Sequence, residues 1–507
     1  MADAAASPAA SAAARPVIPY AFAREAGMAF LDAEGGVLAV RRGADLVRLF
    51  EVRRALERAC PVRWFGAADF DRLLQDIYAY VGLDEAELEE SAQAESLSDL
   101  IDQMPRSEDL LGDSSDAPVI RLINGLIAEA VRTHASDVHV ETFPERVVIR
   151  YRIDGVMSEA ASLSPKLSKL LVSRIKVMAR LDIAEKRLPQ DGRLSLALGD
   201  RAVDVRVSTL PSRHGERVVL RLLDNSDARL QVADLGMTEP VLAAYRRALA
   251  QPNGIVLVTG PTGAGKTTTL YAGLAALNSD TRNILTVEDP IEYAIDGIGQ
   301  TQVNSKVGMT FANGLRAILR QDPDVVMVGE IRDRETAEVA VQASLTGHLV
   351  LSTIHTNSAV AAIARLRDMG VESYLLASTL TAILAQRLVR RLCPSCCEAY
   401  QPDAAERQLI GADDAEDVTL FRPVGCARCK SQGYEGRIGI YELVEVDAAL
   451  RSLIYADARD DELAEHAFSR SDTLFGHGVT LAREGMTSLA EVMRLCRDES
   501  GGRHAGL

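Results

Sequence analysis

The chain has 507 residues, 47% of them hydrophobic, which is enough for two to four domains with buried cores. Its formal net charge of −16 argues against broad electrostatic binding to nucleic acid, which requires a basic surface. No secretory signal opens the chain and no apolar run reaches transmembrane length, so the sequence predicts a cytoplasmic protein with reduced thiols. The longest apolar run, YLLASTLTAILA, is interpreted as a buried helix.

The first part of the chain changes composition twice. Residues 1–15 are rich in Ala, Ser and Pro and predict a disordered tail. Residues 16–83 predict a small domain, either α/β or mainly helical. Residues 84–116 contain twelve acidic residues and one basic residue, a net charge of −11, and predict an acidic linker. Within it, the apolar spacing over 97–104 predicts a short amphipathic helix.

Two further regions follow the linker. Residues 117–240 begin with a predicted helix, VIRLINGLIAEAVRTH, and continue with VVIRYRIDG and AVDVRVSTL, whose alternation predicts a half-buried sheet. In residues 241–507, the apolar segments IVLVT, ILTVE, VVMVG and LVLST alternate with helical stretches. This pattern predicts an α/β domain with a parallel sheet covered on both faces.

A phosphate-binding loop is predicted where IVLVT ends and a helix begins. The segment GPTGAGKT fits the pattern G-x-x-x-x-G-K-[ST] in the required strand–loop–helix context. Its glycines allow backbone N–H groups to surround phosphate oxygens, and the helix N-terminus favours negative charge. The lysine can reach the β- and γ-phosphates, and the threonine can ligate Mg²⁺. The predicted nucleotide-binding residues are Gly260, Pro261, Thr262, Gly263, Ala264, Gly265, Lys266 and Thr267.

Acidic and histidine side chains accompany the following strands. Glu288 and Asp289 come after the second strand, Glu330 after the third, and His348 and His355 flank the fourth. Isolated carboxylates at strand ends are commonly helix caps, and lone histidines are commonly structural. Ligands of open α/β sheets gather at the carboxyl ends of the strands, so three such stretches in one nucleotide fold favour a catalytic role.

Three arginines are candidates for stabilising charge on the transferred phosphate. Strand alternation places Arg206, Arg217 and Arg221 on the polar face of a predicted hairpin. Exposed sheet faces often carry arginines, but beside a phosphate loop such residues can act on the γ-phosphate. Arg316 and Arg320, spaced four apart on a predicted helix, are weaker candidates.

Five of the seven cysteines lie within 37 residues. Cys393-x-x-Cys396 and Cys426-x-x-Cys429 offer four thiolates, the set that a tetrahedral Zn²⁺ requires. A redox site needs only one such pair, and buried free thiols are the structural alternative. Cys397 could replace Cys396 as the partner of Cys393. The pairs are 29 residues apart, which predicts an inserted zinc module over 390–437.

Seven segments together resemble a known family. GPTGAGKTTT, TVEDPIEY, ILRQDPDVVMVGEIRD and TGHLVLSTIHTNSA look like the Walker A, Asp-box, Walker B and His-box segments of secretion ATPases. ASDVHVE, RLPQDGR and HGERVVLRLLD resemble the domain that precedes the motor in that family. The tetracysteine module, the length and the short N-terminal domain narrow the resemblance to the E-type assembly ATPases of bacterial type II secretion.

The resemblance implies a RecA-like P-loop ATPase domain preceded by a PAS-like α/β domain. It implies a homo-hexamer that hydrolyses ATP with Mg²⁺ and moves the secretion machinery. Glu288 and Glu330 would orient and deprotonate the attacking water and hold the metal, in a division left open. His355 would sense the γ-phosphate. The resemblance also favours Cys396 over Cys397 as the zinc ligand.

The resemblance further implies that residues 16–83 dock on the cytoplasmic domain of the inner-membrane L protein, and that the chain acts indirectly on the inner-membrane platform protein. It would then be peripheral on the cytoplasmic face of the inner membrane. The type IV pilus assembly ATPases share every motor motif and are the alternative. A zinc-bearing nucleic-acid-binding module is disfavoured by the 5% aromatic content and the negative charge.

Overall fold

The computed structural model describes residues 23, 26–31, 37–44, 46–55, 61–66, 69–70, 73, 117–198, 201–223, 231–413 and 416–500. The chain divides into two compact units, residues 1–224 and residues 225–507. The predicted tail, the acidic linker and its short amphipathic helix lie outside the described residues. Within those residues, no helix combines the length and apolar character needed to cross a membrane.

The amino-terminal part of the first unit contains a small three-stranded sheet with one described helix. Strand β2 is antiparallel to β1 and parallel to β3. The sheet buries Met28, Phe30, Leu38 and Val40, with Phe70 in the same core. Strands therefore accompany a helix here, and the α/β alternative holds for the described part. The elements are β1 (Met28–Phe30), β2 (Leu38–Arg41), α1 (Leu46–Ala55) and β3 (Val62–Phe65).

Within residues 117–223 of the first unit, the described strands form a six-stranded antiparallel sheet in the order β6-β5-β4-β9-β8-β7. The predicted helix VIRLINGLIAEAVRTH is confirmed as α2, because Leu122, Ile123, Leu126 and Ile127 recur at helical spacing and are buried in the core beside the sheet. The elements are α2 (Ala117–Arg132), β4 (Ala135–Thr142), β5 (Val147–Ile153), β6 (Val156–Leu163), a 3₁₀ turn (Pro165–Leu167), α3 (Ser168–Met178), β7 (Gln190–Leu198), β8 (Arg201–Ser212) and β9 (Gly215–Leu223).

The second unit is built on a seven-stranded sheet in the order β12-β11-β13-β14-β10-β15-β18. The four apolar segments of the sequence are strands β10, β11, β13 and β14, and they run parallel as predicted. Only β18 is antiparallel to its neighbour. The strands are β10 (Gly254–Thr259), β11 (Ile284–Glu288), β12 (Gly299–Gln302), β13 (Val325–Val328), β14 (Leu349–Ile354), β15 (Leu380–Leu392) and β18 (Tyr434–Glu445).

Helices cover both faces of this sheet, as predicted. Ile255 and Leu257 of β10 belong to one apolar core, and Val256 and Val258 belong to the other. The helices and 3₁₀ turns of the unit are Val232–Leu235 (3₁₀), α4 (Glu239–Leu249), α5 (Lys266–Leu277), Ser305–Val307 (3₁₀), α6 (Phe311–Ile318), α7 (Arg334–Leu345), α8 (Ala359–Asp368), α9 (Ser373–Thr379), α10 (Ala404–Leu409), α11 (Ala448–Tyr455), α12 (Asp460–Phe468), α13 (Leu474–Arg483) and α14 (Leu489–Ser500).

The predicted buried helix YLLASTLTAILA is wrong in its second half. Helix α9 ends at Thr379, and Leu380 begins the thirteen-residue strand β15, which is parallel to β10. A strand that is buried on both faces is continuously apolar, so its pattern does not differ from that of a buried helix. The consequence for the site is that β15 lies directly beside the strand that leads into the phosphate loop.

The predicted zinc module lies between the two longest strands of the second unit. It contains a two-stranded antiparallel sheet of β16 (Glu398–Tyr400) and β17 (Leu420–Arg422), together with α10. Cys393 follows β15 directly, and Cys429 precedes β18 by five positions. Two adjacent antiparallel strands thus bring the two cysteine pairs to one end of the sheet.

Candidate nucleotide site and metal centre

The predicted phosphate loop connects the carboxyl end of β10 to helix α5. Gly260 has φ 147° and Gly265 has φ 84°, conformations that residues with a Cβ rarely adopt. A Cβ on Gly260 would also lie 2.4 Å from the backbone oxygen of Gln386 on β15. Pro261, Thr262 and Gly263 are exposed at the mouth of the loop. The loop therefore depends on glycine both for its turn and for its close approach to the neighbouring strand.

Lys266 is buried beneath the loop and closes it. Its Nζ donates to the backbone oxygens of Gly260, at 2.8 Å, and Pro261, at 3.1 Å. Burial lowers the pKa of Lys266 to about 8, and the negative charge of Glu330 offsets only part of this effect. Thr267, the next residue, is exposed. The ammonium group of Lys266 thus binds two backbone oxygens of the loop.

Glu330 and His355 lie next to this lysine. The Nδ1 of His355 is 3.4 Å from Lys266 Nζ, and its Nε2 is 3.5 Å from Glu330 Oε2. The other oxygen of Glu330 pairs with Arg332. Burial and the nearby Lys266 ammonium lower the pKa of His355, so the imidazole is neutral at pH 7. Three of the predicted residues therefore form one continuous polar chain.

The two histidines around the fourth strand have different surroundings. His348 precedes Leu349, at the amino end of β14, and its Nδ1 contacts the backbone oxygen of Ala343 at 2.9 Å and the hydroxyl of Thr346 at 3.1 Å. It therefore closes the end of α7. His355 follows the same strand at its carboxyl end, where the phosphate loop lies.

Glu288 lies in a separate buried network. One oxygen accepts hydrogen bonds from the hydroxyl of Thr286, at 2.6 Å, and from Nε2 of Gln300, at 3.0 Å. The other accepts from the hydroxyl of Tyr271 on α5. Burial and this carboxylate raise the pKa of Tyr271. The structure thus brings Glu330 to the lysine and the histidine, and it uses the carboxylate of Glu288 to join α5 to β11 and β12.

The predicted arginines lie on the polar face of the six-stranded sheet in the first unit. Arg206 is opposite Arg221 in the β8–β9 register. Nε of Arg221 donates to Asp137 at 2.8 Å, and Nη2 of Arg217 pairs with Glu141 at 2.5 Å. Both carboxylates are buried, whereas the arginine side chains stay 57% and 41% exposed. Buried acids of β4 therefore hold partly exposed guanidinium groups in place.

Arg316 and Arg320 do not share a helical face as the sequence predicted. Helix α6 ends at Ile318, so Arg320 lies beyond it and donates to the backbone oxygen of Arg316 at 2.8 Å. Arg316 pairs with Glu335 on the protein surface at 2.6 Å. Asp322 follows with φ 52°, and this left-handed residue shows that the chain has already turned.

The four predicted zinc ligands converge. Sγ of Cys393 is 3.9 Å from that of Cys426, and Sγ of Cys429 is 3.7 Å from that of Cys396 and 3.8 Å from that of Cys426. A tetrahedral Zn²⁺ with Zn–S bonds of about 2.3 Å has sulfur–sulfur edges of about 3.8 Å. All four ligand atoms lie within 4.8 Å of one another, and Cys397 is not in this group. The sulfur positions therefore fit zinc.

Backbone N–H groups favour a thiolate within this cluster. Cys429 accepts from the N–H of Gly433 at 3.1 Å and from that of Cys426 at 3.2 Å. Burial alone would raise the pKa of Cys429, but these backbone hydrogen bonds, together with those from the thiols of Cys396 and Cys426, lower it to about 6. Thiolate is the form that binds metal.

The sequence reasoning missed several polar residues that the site uses. Tyr271 and Gln300 bind Glu288, Thr259 donates to the backbone oxygen of Thr356 in the His-box loop at 3.2 Å, and Gln386 contacts the phosphate loop. A signal was available for two of them, because Thr259 and Gln386 are polar residues within apolar strand segments. Buried polar groups of this kind need partners.

Comparison with known proteins identifies the family. Residues 113–494 match the family model of the type II/IV secretion system protein, and residues 17–78 match the model of an amino-terminal domain of GSPII protein E. The chain is 54% identical to type II secretion system protein E of Pseudomonas aeruginosa, over 95% of this chain and 96% of that protein. It is also 54% identical to type II secretion system ATPase E of Vibrio cholerae, over 89% of this chain and 90% of that protein.

A solved structure supports the fold. The X-ray structure of the Legionella pneumophila ATPase DotB aligns with a TM-score of 0.55 at 20% identity, over 74% of this chain and 95% of that chain. The chain belongs to the type II secretion system protein E family, within the type II/IV secretion system proteins, and it is an ATP-hydrolysing enzyme with a RecA-like P-loop fold.

Proposed function

We propose that this chain is the motor of a type II secretion system, a hexameric ATPase that converts ATP hydrolysis into mechanical work for pseudopilus assembly and for export across the outer membrane. The observation that carries the proposal is the contact of Lys266, His355 and Glu330 at the base of the phosphate loop. A loop of the phosphate-binding type, a lysine that can turn to the phosphates and a carboxylate beside that lysine match the groups that position nucleotide and water in phosphoryl transfer, and the imidazole contacts both side chains.

ATP binding redirects the groups that close the loop. Lys266 leaves the carbonyls of Gly260 and Pro261 and turns to the β- and γ-phosphates, because their charge exceeds that of two peptide oxygens. Thr267, which is exposed next to the loop, would ligate Mg²⁺ through its hydroxyl, and the ion would neutralise charge on the phosphate oxygens. His355 is then free to contact the γ-phosphate.

The surroundings of the two carboxylates give them different roles. Glu330 faces the lysine–histidine pair and is the carboxylate that orients the attacking water and accepts its proton. Glu288 acts through Tyr271 and Gln300, which fix α5 against the sheet. Arg206, Arg217 and Arg221, held on the first unit, act on a nucleotide from outside the loop, as arginine fingers do.

Cys393, Cys396, Cys426 and Cys429 would hold one structural Zn²⁺, since their sulfur atoms lie within 4.8 Å of one another. A site with four protein ligands has no open position, so its role is to fold the module between β15 and β18 and not to take part in catalysis.

The N-terminal domain, residues 16–83, recruits the motor to the membrane by docking on the cytoplasmic domain of the inner-membrane L protein. The match of residues 17–78 to the amino-terminal domain model of GSPII protein E supports this assignment. In a host with the secretion system, deletion of residues 1–83 is expected to release the protein from the inner-membrane fraction and to stop secretion, while basal ATP hydrolysis persists. The Lys266→Ala protein is the matched control, because it should stay with the membrane and lose hydrolysis. Membrane retention of the truncated chain would contradict the proposal.

A further inference from the structure

Gln386 of β15 lies directly under the phosphate loop. Thr259, the last residue of β10, is paired with Ala385, so the next residue of β15 lies where the chain leaves β10 to form the loop. The Gln386 side chain is only 1% exposed. A buried amide without hydrogen-bond partners would destabilise the folded chain. The partners of the Gln386 amide therefore indicate its role.

The amide of Gln386 joins the phosphate loop to helix α5. Its Nε2 donates to the backbone oxygen of Ala264 at 2.6 Å, and its Oε1 accepts from the hydroxyl of Thr269, in the first turns of α5, at 2.7 Å. A backbone oxygen can only accept, so Nε2 must be the atom that faces Ala264. Glutamine is the side chain of this length that offers both a donor and an acceptor at its end.

The bond to Ala264 fixes the direction of the following N–H group. The Ala264–Gly265 peptide is trans, and in a trans peptide the C=O and N–H bonds point in opposite directions. Because Gln386 holds the Ala264 oxygen on the sheet side, the N–H of Gly265 points to the opposite side of the loop, where phosphate oxygens would lie. A peptide next to glycine rotates easily, so without this bond nothing in the side chains of the loop itself fixes that direction.

We infer that Gln386 is a positioning residue of the ATPase, which aims the Gly265 N–H at the phosphates by holding the Ala264 carbonyl. The inference rests on the proposal that residues 260–267 bind the nucleotide phosphates. Gln386 is buried beneath the loop and would act only through it.

Three variants of the full-length chain separate the two hydrogen bonds. Gln386→Met keeps the length of the side chain and removes both bonds. Gln386→Glu keeps the acceptor for Thr269 and, when ionised, lacks the donor for Ala264. Thr269→Val removes only the bond to Thr269. The measurements are the KM and kcat of Mg²⁺-dependent ATP hydrolysis and the melting temperature without nucleotide.

We expect the KM for ATP to rise about ten- to hundredfold in both Gln386 variants, the effect of losing one hydrogen bond to a charged group, with a smaller change in kcat. Thr269→Val leaves the hydrogen bond to Ala264 in place, so KM should rise by less than about threefold, the low end of the effect of a neutral hydrogen bond. Protonation of the introduced carboxyl restores a donor, so the KM defect of Gln386→Glu should shrink as the pH is lowered, while that of Gln386→Met should not.

A wild-type KM in folded Gln386→Met protein would overturn the inference. So would a defect in Thr269→Val as large as that of Gln386→Met, or failure of both Gln386 variants to fold, since either outcome makes Gln386 a core residue only. Lys266→Ala is measured in parallel. If it binds and hydrolyses ATP like the wild type, the proposed phosphate site has failed and not the role of Gln386.

Discussion

The Nε2 of His355 lies 3.5 Å from Oε2 of Glu330, while Nδ1 of the same ring lies 3.4 Å from Nζ of Lys266. The neutral imidazole of His355 contacts both the carboxylate of Glu330 and the ammonium group of Lys266, so a movement of either group alters the surroundings of the other. As proposed above, ATP binding would move the lysine to the phosphates; His355 would then lose its contact with Lys266 and keep its contact with Glu330. The residues predicted separately from three strand ends therefore form one unit.

Removing the charge of Glu330 should separate binding from turnover. Glu330→Gln is expected to bind Mg²⁺–ATP and to lose at least about two orders of magnitude in turnover, the scale of a lost general base. Phosphate release and the binding of a fluorescent ATP analogue measure the two effects.

Glu288→Gln is the matched control for Glu330→Gln, and we expect it to affect stability as well as turnover. The new amide presents a donor to the donors Tyr271, Thr286 and Gln300, so both the melting temperature and the activity should fall. If Glu330→Gln turned over at the wild-type rate and Glu288→Gln lost only turnover, the roles would be exchanged.

ATP binding should take up a proton at mildly alkaline pH. The pKa of Lys266 is about 8 in the nucleotide-free chain, and phosphate charge raises it, so bound Lys266 stays protonated where free Lys266 does not. Affinity is therefore expected to fall as the pH rises above about 8. Calorimetry in buffers of different ionisation enthalpy measures the uptake. Lys266→Arg stays charged throughout, and the same uptake by that variant would assign the proton to another group.

Zinc content should distinguish the two adjacent cysteines. Cys396→Ser removes a ligand and is expected to lose the metal and unfold the module, because structural zinc binding is coupled to folding. Cys397→Ser is the control and should keep one Zn²⁺ per chain. Elemental analysis of both purified proteins gives the answer, and the reverse result would make Cys397 the ligand.

The buried ion pair of Lys176 and Glu216 should make a large contribution to the free energy of unfolding of the first unit. Lys176 is fully buried and pairs with Glu216, and its Nζ also donates to the backbone oxygen of Glu185 at 2.7 Å. Lys176→Met leaves a buried carboxylate unpaired and should lower the free energy of unfolding by roughly 3–5 kcal/mol. The double variant Lys176→Met with Glu216→Met should recover much of this loss in chemical denaturation. An additive loss in the double variant would show that the two residues are not coupled.

If the arginines act on the nucleotide of a neighbouring subunit, mixing two inactive variants should restore ATP hydrolysis. Arg221→Ala and Lys266→Ala proteins, each inactive, are expected to regain partial ATP hydrolysis when mixed, because some sites then combine an intact Lys266 with an intact Arg221. Arg206→Ala should behave like Arg221→Ala, since the two residues are opposite in the β8–β9 register. Arg316→Ala, at a surface ion pair, is the control and should stay active alone. Absence of rescue despite demonstrated subunit exchange would leave these arginines as part of the sheet surface.

The sequence alone determined the features that depend on local pattern. The phosphate loop, the four parallel strands and the two cysteine pairs each need a fixed spacing of residue types, and such spacing is visible without the fold. The sequence also predicted that Glu330 and His355 lie near the phosphate loop, because strand ends of a parallel sheet meet at one edge.

Only the tertiary structure decided what depends on neighbours distant in the chain. The second half of YLLASTLTAILA became strand β15 because it pairs with β10, which its apolar composition could not show. The different surroundings of Glu288 and Glu330 depend on Tyr271, Gln300 and His355, which come from other elements. The contact of Gln386 with Ala264 joins residues 122 positions apart. Hydrogen bonds of this kind leave no periodic signal in a sequence, because the partners are close in space but far apart along the chain.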